Sequence, residues 1–87
     1  MDQQRPPSVL VEREGFRMPR YFFHVRRGGL TVFDREGVEL AGIAEAAAEA
    51  ARRGREIAVR DALNAVPRGG GVIVIDEGWR TVLELPF

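Results

Sequence analysis

The sequence contains no cysteine, no lysine, one histidine (His24) and one serine (Ser8). Without cysteine there is no disulfide, no thiolate metal ligand and no cysteine nucleophile. A serine triad needs a nucleophile, a base and an orienting group brought together, and Ser8 lies in a segment that reads as an arm outside the patterned part of the chain. These absences predict a protein that is not an enzyme and that carries no cofactor.

The chain also lacks an excess of charge of one sign. Its 13 basic residues, all arginine, are balanced by 13 acidic residues. Proteins that bind nucleic acid non-specifically normally carry a positive excess, because neutralising phosphates supplies most of their affinity. The balance therefore counts against nucleic-acid binding, although a local basic patch is compatible with it.

Long apolar runs are absent as well. No stretch approaches the roughly 18 apolar residues that a membrane-spanning helix needs. The first 20 residues contain arginines, acids and prolines and no apolar core of a signal peptide. The sequence therefore predicts a cytoplasmic protein that does not enter a membrane.

The 87 residues suffice for one domain, close to the lower size limit for a self-sufficient core. Residues 1–17, "MDQQRPPSVLVEREGFR", differ in composition from the rest and are interpreted as a disordered or loosely docked arm. Residues 18–87 are the predicted domain. Because regular patterning begins at Met18, translation from Met18 is an alternative to translation from Met1.

Two predicted hairpins flank one predicted helix. Apolar alternation indicates the first strand, a continuous apolar run over 72–75 indicates a strand buried on both faces, and turns rich in Gly and Asp separate the segments. The order β-β-α-β-β predicts an α+β fold, in which one helix packs on a four-stranded, mainly antiparallel sheet. The segments are strand 20–26, strand 30–34, a helix from about residue 42 to about 64, strand 72–76 and strand 79–87.

One side of the predicted helix is nearly all alanine and glycine, which predicts that its backbone lies close to the sheet. Charged residues fill the opposite side and predict the ion pairs Glu49–Arg53 and Glu56–Arg60. Asp61 interrupts the apolar side, so the helix bends, ends near Arg60, or meets a partner there. The apolar side consists of Ile43, Ala46, Ala47, Ala50, Ala51, Gly54, Ile57 and Ala58.

The first strand, "RYFFHVR", places Phe22, His24 and Arg26 on the sheet face opposite Tyr21 and Phe23. Away from the helix, that face is a candidate interaction surface. An apolar sheet face favours association with a second copy or another protein, whereas aromatic side chains beside arginines could also stack on single-stranded nucleic acid. The candidate residues are Phe22, His24, Phe33, Val82, Arg26 and Arg80.

Three other motifs have structural interpretations. His24 is interpreted as a partly buried strand residue that a neighbour or water satisfies. The acidic segment "DREGVE", residues 34–39, could offer carboxylates to Mg²⁺ or Ca²⁺ but lacks the EF-hand spacing and is interpreted as a solvated turn. The glycines at 69–71 follow the helix rather than precede it, so they form a linker and not a phosphate loop.

The segments "MPRYFFHVRRGG", "DREGVEL", "VIDEGWR" and the terminal "LPF" resemble a bacterial family of unknown function. Its short proteins open with M-P-R-Y-F-F-H and close on a V-P-F-like end, and the resemblance covers residues 18–87. Arg27 replaces an acidic residue usual in that family, and Ala41-Gly42 replaces its helix-capping proline and aspartate. The resemblance implies no activity, cofactor or site residues. The outline is also loosely similar to HicB-type antitoxins, which bind a protein toxin.

Together, these observations predict a small α+β domain that acts by binding, as a homodimer or with a protein partner. The alternative is a module that binds RNA or single-stranded nucleic acid through the same sheet face.

Overall fold

The structure, a computed structural model, describes residues 18–67 and 69–87. The predicted arm, 1–17, lies outside the described residues. The described part forms five strands and one helix: β1 (Arg20–Arg27), β2 (Leu30–Val32), β3 (Val38–Glu39), α1 (Ile43–Leu63), β4 (Gly71–Ile75) and β5 (Thr81–Pro86). The predicted α+β fold, with strands before and after a single helix, is confirmed.

All strand pairs are antiparallel, in the order β2-β1-β4-β5, with β3 also paired to β1. The prediction of one continuous strand over 30–34 is wrong. Only Leu30–Val32 pairs there, and a second piece, β3, pairs with Arg20 and Tyr21. The chain turns away between the two pieces because Asp34 accepts hydrogen bonds from the following backbone and Gly37 adopts a left-handed φ of 72°.

Helix α1 matches its predicted bounds to within one residue at each end. Gly42 precedes it and makes no side-chain capping hydrogen bond, as the sequence indicated. Its alanine-rich sequence has high intrinsic helix propensity. After Leu63 the backbone reverses through Ala65, whose φ is 56° and whose N–H donates to Ala62 O. The helix therefore continues past Arg60 without ending at Asp61.

The core lies between α1 and one face of the sheet. Its buried members come from β1, β4 and the small-residue side of the helix: Tyr21, Phe23, Ala46, Ala50, Val72 and Val74. The prediction that Tyr21 and Phe23 share a face is confirmed. Ile43, by contrast, is half exposed, so the apolar side of the helix is buried only from Ala46 onward.

The charged side of α1 differs from the prediction in two ways. Glu49 does pair with Arg53, but Glu56, within the described residues, pairs with Arg52 and not with Arg60. Arg53 does not lie on the solvent side: its guanidinium sits 4.4 Å from the centre of the Phe23 ring, a cation–π contact at the border of the core.

Candidate interaction surface on the open face of the sheet

The sheet face opposite α1, called the open face below, is built by residue alternation and strand register. Because side chains alternate along a strand, burying Tyr21 and Phe23 under the helix turns Phe22, His24 and Arg26 to the other face. In β4 their cross-strand partners are Ile75, Ile73 and Gly71, and Ile73 is in turn opposite Glu84 of β5. No described helix covers this face, but the Gly37 turn and Trp79 lie against Phe22, and Ile75 opposite Phe22 is only 9% exposed.

Phe22 stacks on Trp79, with ring centres 5.2 Å apart and planes 21° from parallel. Trp79 belongs to the turn between β4 and β5, has a left-handed φ of 62° and is 72% exposed. A bulky residue in that backbone region costs free energy unless its surroundings hold it there. The turn thus displays an indole at the surface against a strand aromatic.

Asp76 holds that turn. Its Oδ1 accepts hydrogen bonds from the N–H groups of Gly78 and Arg80, and its own N–H donates to Arg80 O. The hydrogen bond from the Arg80 N–H is the largest influence on the Asp76 carboxyl and, with that from Gly78, lowers its pKa below the usual value against the opposing effect of burial. The turn that carries Trp79 is therefore well ordered.

His24 and Phe33 meet edge to face, with ring centres 5.0 Å apart. The Nδ1 atom of His24 accepts a hydrogen bond of 3.0 Å from the Asp34 N–H. An acceptor nitrogen carries no proton, so the ring proton in this arrangement is on Nε2. This contact supports the interpretation of His24 as a strand residue satisfied by a neighbour, and it holds the chain beside Phe33 on the open face.

The Asp34 carboxylate fills the gap between β2 and β3. Oδ2 accepts the Phe23 N–H, and Oδ1 accepts the N–H groups of Glu36 and Gly37, at 3.0–3.1 Å. Burial acts to raise the pKa of Asp34, but the hydrogen bonds from Gly37, Phe23 and Glu36 outweigh it and the pKa is lowered. Asp34 thus serves the backbone, as expected for a turn and not for a metal ligand.

The arginines around this face each have a carboxylate partner. Arg26 reaches across β4 to form an ion pair with Glu84. Arg80 lies 3.5 Å from Asp76, and Arg20 pairs with Glu39 at 3.1 Å. Pairing of this kind reduces the positive potential that a phosphate backbone would meet.

The predicted surface residues separate into three groups. Phe22, His24, Phe33 and Arg26 come together on or beside the open face. Val82 is the extra residue of a bulge, because Leu83 pairs with Val74 while Thr81 pairs with Ile75, and it is 37% exposed. Arg80 lies in the turn with its side chain 82% exposed.

The sequence analysis missed Trp79, the most exposed aromatic side chain of the face, because it predicted that the last strand begins at residue 79, whereas β5 begins at Thr81 and leaves Trp79 in the turn. The signal was present: a tryptophan directly after an Asp-x-Gly turn is displayed at the surface unless the following strand buries it. It also missed Glu84, whose alternation with Leu83 and Leu85 places it on the open face opposite Ile73.

Over residues 18–67 and 69–87, no helix combines the length and the hydropathy needed to cross a membrane.

No curated protein and no solved structure shows significant similarity to this chain. One family model does match, that of a domain of unknown function, and the match extends from residue 20 to residue 87. It therefore includes β1, α1 and β5 and everything between them. On this match the chain belongs to the family described as domain of unknown function DUF6894.

Proposed function

We propose that this domain acts by binding and not by catalysis, and that it associates with a second copy of itself through the open face. The observation that carries the proposal is the exposure of two aromatic side chains beside the open face, which no described helix covers: Trp79 is 72% exposed and Phe33 is 62% exposed. Clustered apolar exposure of this kind is typical of an interaction site in a protein of this size.

The thin core supports the same proposal. Among residues 18–67 and 69–87, eight apolar residues are buried, and two of them are alanines. A domain of about this length buries a smaller fraction of its surface on folding than a larger domain does, so covering the second face of the sheet would add to its stability. A second copy of the chain can supply that cover, so no different protein is needed.

The sheet edges favour packing through the face over pairing through the edge. The Phe87 N–H donates to Gly70 O, so alternation turns the backbone groups of Glu84 and Pro86 outward from β5. Pro86 has no N–H to offer and Glu84 is charged, and both features oppose the addition of a strand. At the other edge, β2 has three residues and β3 has two.

The charges of the open face favour a second copy as the occupant. The Arg26–Glu84 pair contributes no net charge, so two such faces can approach without repulsion. A strongly charged partner would gain little from this surface. The groups that a catalytic role would need are engaged in structure, since His24 Nδ1 and both Asp34 oxygens accept backbone hydrogen bonds.

The test is sedimentation equilibrium of the full chain and of Phe33→Asp. We expect a monomer–dimer equilibrium for the parent chain and a monomer for the variant, with unchanged helix content by circular dichroism. Leu63→Asp is the matched control, because Leu63 is 81% exposed on α1, away from the open face, and we expect it to dimerise as the parent does. A monomeric parent, or a dimeric Phe33→Asp, would refute the proposal.

Because Phe22 packs against the β1–β3 region as well as against Trp79, Phe22→Asp is a second, more disruptive variant. We expect it also to be monomeric while it keeps its helix. A dimeric Phe22→Asp would likewise show that the open face is not the interface.

Single-stranded nucleic-acid binding is the second candidate function, and the exposed rings of Trp79 and Phe33 favour it. Its test is fluorescence anisotropy with a labelled single-stranded oligonucleotide at several salt concentrations. This function predicts an affinity that falls with salt and is lost in the double variant Arg26→Ala, Arg80→Ala. The absence of binding at low salt, or an affinity that does not change with salt concentration, would refute it.

A further inference from the structure

We infer that the two copies pack with their strands antiparallel across a two-fold axis, so that Trp79 of each copy covers the Arg26–Glu84 ion pair of the other. This inference rests on the proposed self-association and specifies its geometry. It arises from the different shapes of the two ends of the open face.

One end of the open face projects. Phe22 is opposite Ile75, and the Trp79 indole, which is 72% exposed, stacks on Phe22 with ring centres 5.2 Å apart and extends the aromatic surface at this end. The turn beneath that indole is fixed by the hydrogen bonds to Asp76. The projecting side chain is therefore preorganised and loses little conformational freedom on contact.

The other end of the open face, called the low end below, lacks a side chain at its centre. Arg26 is opposite Gly71, which has no side chain, and Gly71 is opposite Pro86. The Arg26 side chain crosses β4 and forms an ion pair with Glu84 of β5, next to this position without a side chain. About half of each charged side chain is exposed, at 42% and 48%. This end presents a flat, neutral ion pair.

The two ends are complementary when the copies run antiparallel. Phe22 and Arg26 are four residues apart along β1, about 13 Å, so the centre of the face lies at His24 and Ile73. A two-fold axis that passes through that centre, lies between the two faces and runs perpendicular to the strands places the projecting end of one copy over the low end of the other. With the axis along the strands, both projecting ends would meet and leave the low ends apart.

The chemistry of the paired ends fits this geometry. A guanidinium group attracts the face of an indole, and the attraction strengthens when water is excluded. Arg26 is already neutralised by Glu84, so covering it with Trp79 does not bury an unpaired charge. Isologous symmetry makes this contact twice in each dimer.

The size of the face sets the expected strength. Four strands spaced about 4.8 Å apart and five residues long give a plan area of roughly 300 Å². Standard stable interfaces bury about 800 Å² from each partner. The dimer should therefore be weak, and its two Trp79 contacts should contribute a large share of its affinity.

Trp79 is the only tryptophan of the chain, so its fluorescence reports directly on the proposed contact. As the protein concentration rises through the dimerisation range, we expect the emission maximum to move to shorter wavelength. We expect Trp79→Ala and Arg26→Ala each to weaken dimerisation about tenfold or more, with Arg55→Ala on α1 as the matched arginine control. A dimer whose Trp79 emission does not change with concentration would overturn this inference and leave self-association standing.

Cross-linking tests the antiparallel arrangement, because the chain has no native cysteine. Pro86 is opposite Gly71 in β5, at the low end, and Arg80 adjoins Trp79 just before β5, at the projecting end. The proposed axis lays β5 of one copy over β5 of the other, so we expect a mixture of Pro86→Cys and Arg80→Cys chains to form mixed disulfide dimers in preference to 86–86 or 80–80 dimers. Preferential 80–80 cross-links would overturn the antiparallel arrangement, whereas a chain that sediments as a monomer would refute the proposed function itself.

Discussion

Arg27 of β1 and Asp61 of α1 form an ion pair across the helix–sheet interface, with Nη2 and Oδ1 2.5 Å apart. The two ends of the pair differ in exposure: the Arg27 side chain is 40% exposed and that of Asp61 is 12% exposed. Asp61 is thus an acidic residue on the buried side of the helix because a strand arginine reaches it from the edge of the core. Its position requires neither a helix bend nor a partner protein.

Removing Arg27 should destabilise the fold more than removing Asp61. Arg27→Ala leaves the Asp61 carboxylate nearly buried and uncompensated, and we expect a loss of about 2–3 kcal/mol in the free energy of unfolding. Asp61→Ala frees Arg27 to be hydrated and should cost about 1 kcal/mol. Urea denaturation at one fixed protein concentration measures both values. Equal losses, or a larger loss for Asp61→Ala, would show that Asp61 is not dependent on Arg27.

The Glu49 carboxylate should contribute to stability in a defined range of acid pH. The hydrogen bond from Arg52, and then that from Arg53, lower its pKa from 4.5 to about 2. A carboxyl group whose pKa is depressed by folding stabilises the protein above its unfolded pKa and loses that contribution as the pH falls through the folded value. The contribution of Glu49 is therefore complete above pH 4.5 and disappears toward pH 2.

Glu49→Gln removes that acid-dependent contribution. Because Arg52 is half exposed, we expect the free energy of unfolding of the parent to exceed that of the variant by about 1 kcal/mol at neutral pH. This difference should disappear as the pH falls toward 2. The measurement is the free energy of unfolding of both proteins across the acid range. A parent-minus-variant difference that is independent of pH would contradict the role assigned to Glu49.

The Asp34 carboxylate should be required for the β1–β3 region to hold together. Asp34→Ala leaves three backbone N–H groups without their acceptor, and we expect a loss of about 2–3 kcal/mol. Hydrogen exchange should accelerate at the amides of Phe23, Glu36 and Gly37. Glu36→Ala, which changes an exposed side chain in the same loop, is the control and should leave exchange unchanged at Phe23.

The His24 tautomer is a separate test of that loop. Because Nδ1 accepts the Asp34 N–H, ring ¹⁵N shifts of the folded protein should report the tautomer whose proton is on Nε2. His24→Asn, whose amide oxygen can stand near the Nδ1 position, should retain more stability than His24→Leu. Equal stability of these two variants would show that the hydrogen bond to His24 is dispensable.

Gly70 should be far less tolerant of substitution than its neighbour Gly69. Both have positive φ, 143° and 134°, so alanine strains either position by about 1–3 kcal/mol. A Cβ at Gly70 would also overlap the Arg26 carbonyl oxygen and lie 3.0 Å from the Phe87 ring, whereas none of the described residues lies within 4 Å of one at Gly69. We expect Gly70→Ala to unfold at a clearly lower temperature than Gly69→Ala, and equal melting temperatures would contradict this packing.

The sequence by itself determined the order of elements, the two faces of β1 and the bounds of α1. These features depend on local periodicity: alternation separates Phe22 and His24 from Tyr21 and Phe23, and the alanine-rich segment favours a helix in any context. The buried character of β4 was likewise visible in its continuous apolar run.

Only the tertiary structure decided where charges and aromatics meet. Arg27 pairs with Asp61, which is 34 residues away in the sequence, and Arg26 pairs with Glu84, which is 58 residues away. Trp79 stacks on Phe22 of the first strand. The break between β2 and β3 also depends on a tertiary contact, because the Asp34 carboxylate accepts the Phe23 N–H in place of a carbonyl group of a neighbouring strand. Such contacts follow from sheet register and the approach of the helix, and these are set by packing the whole core and not by any local run of residues.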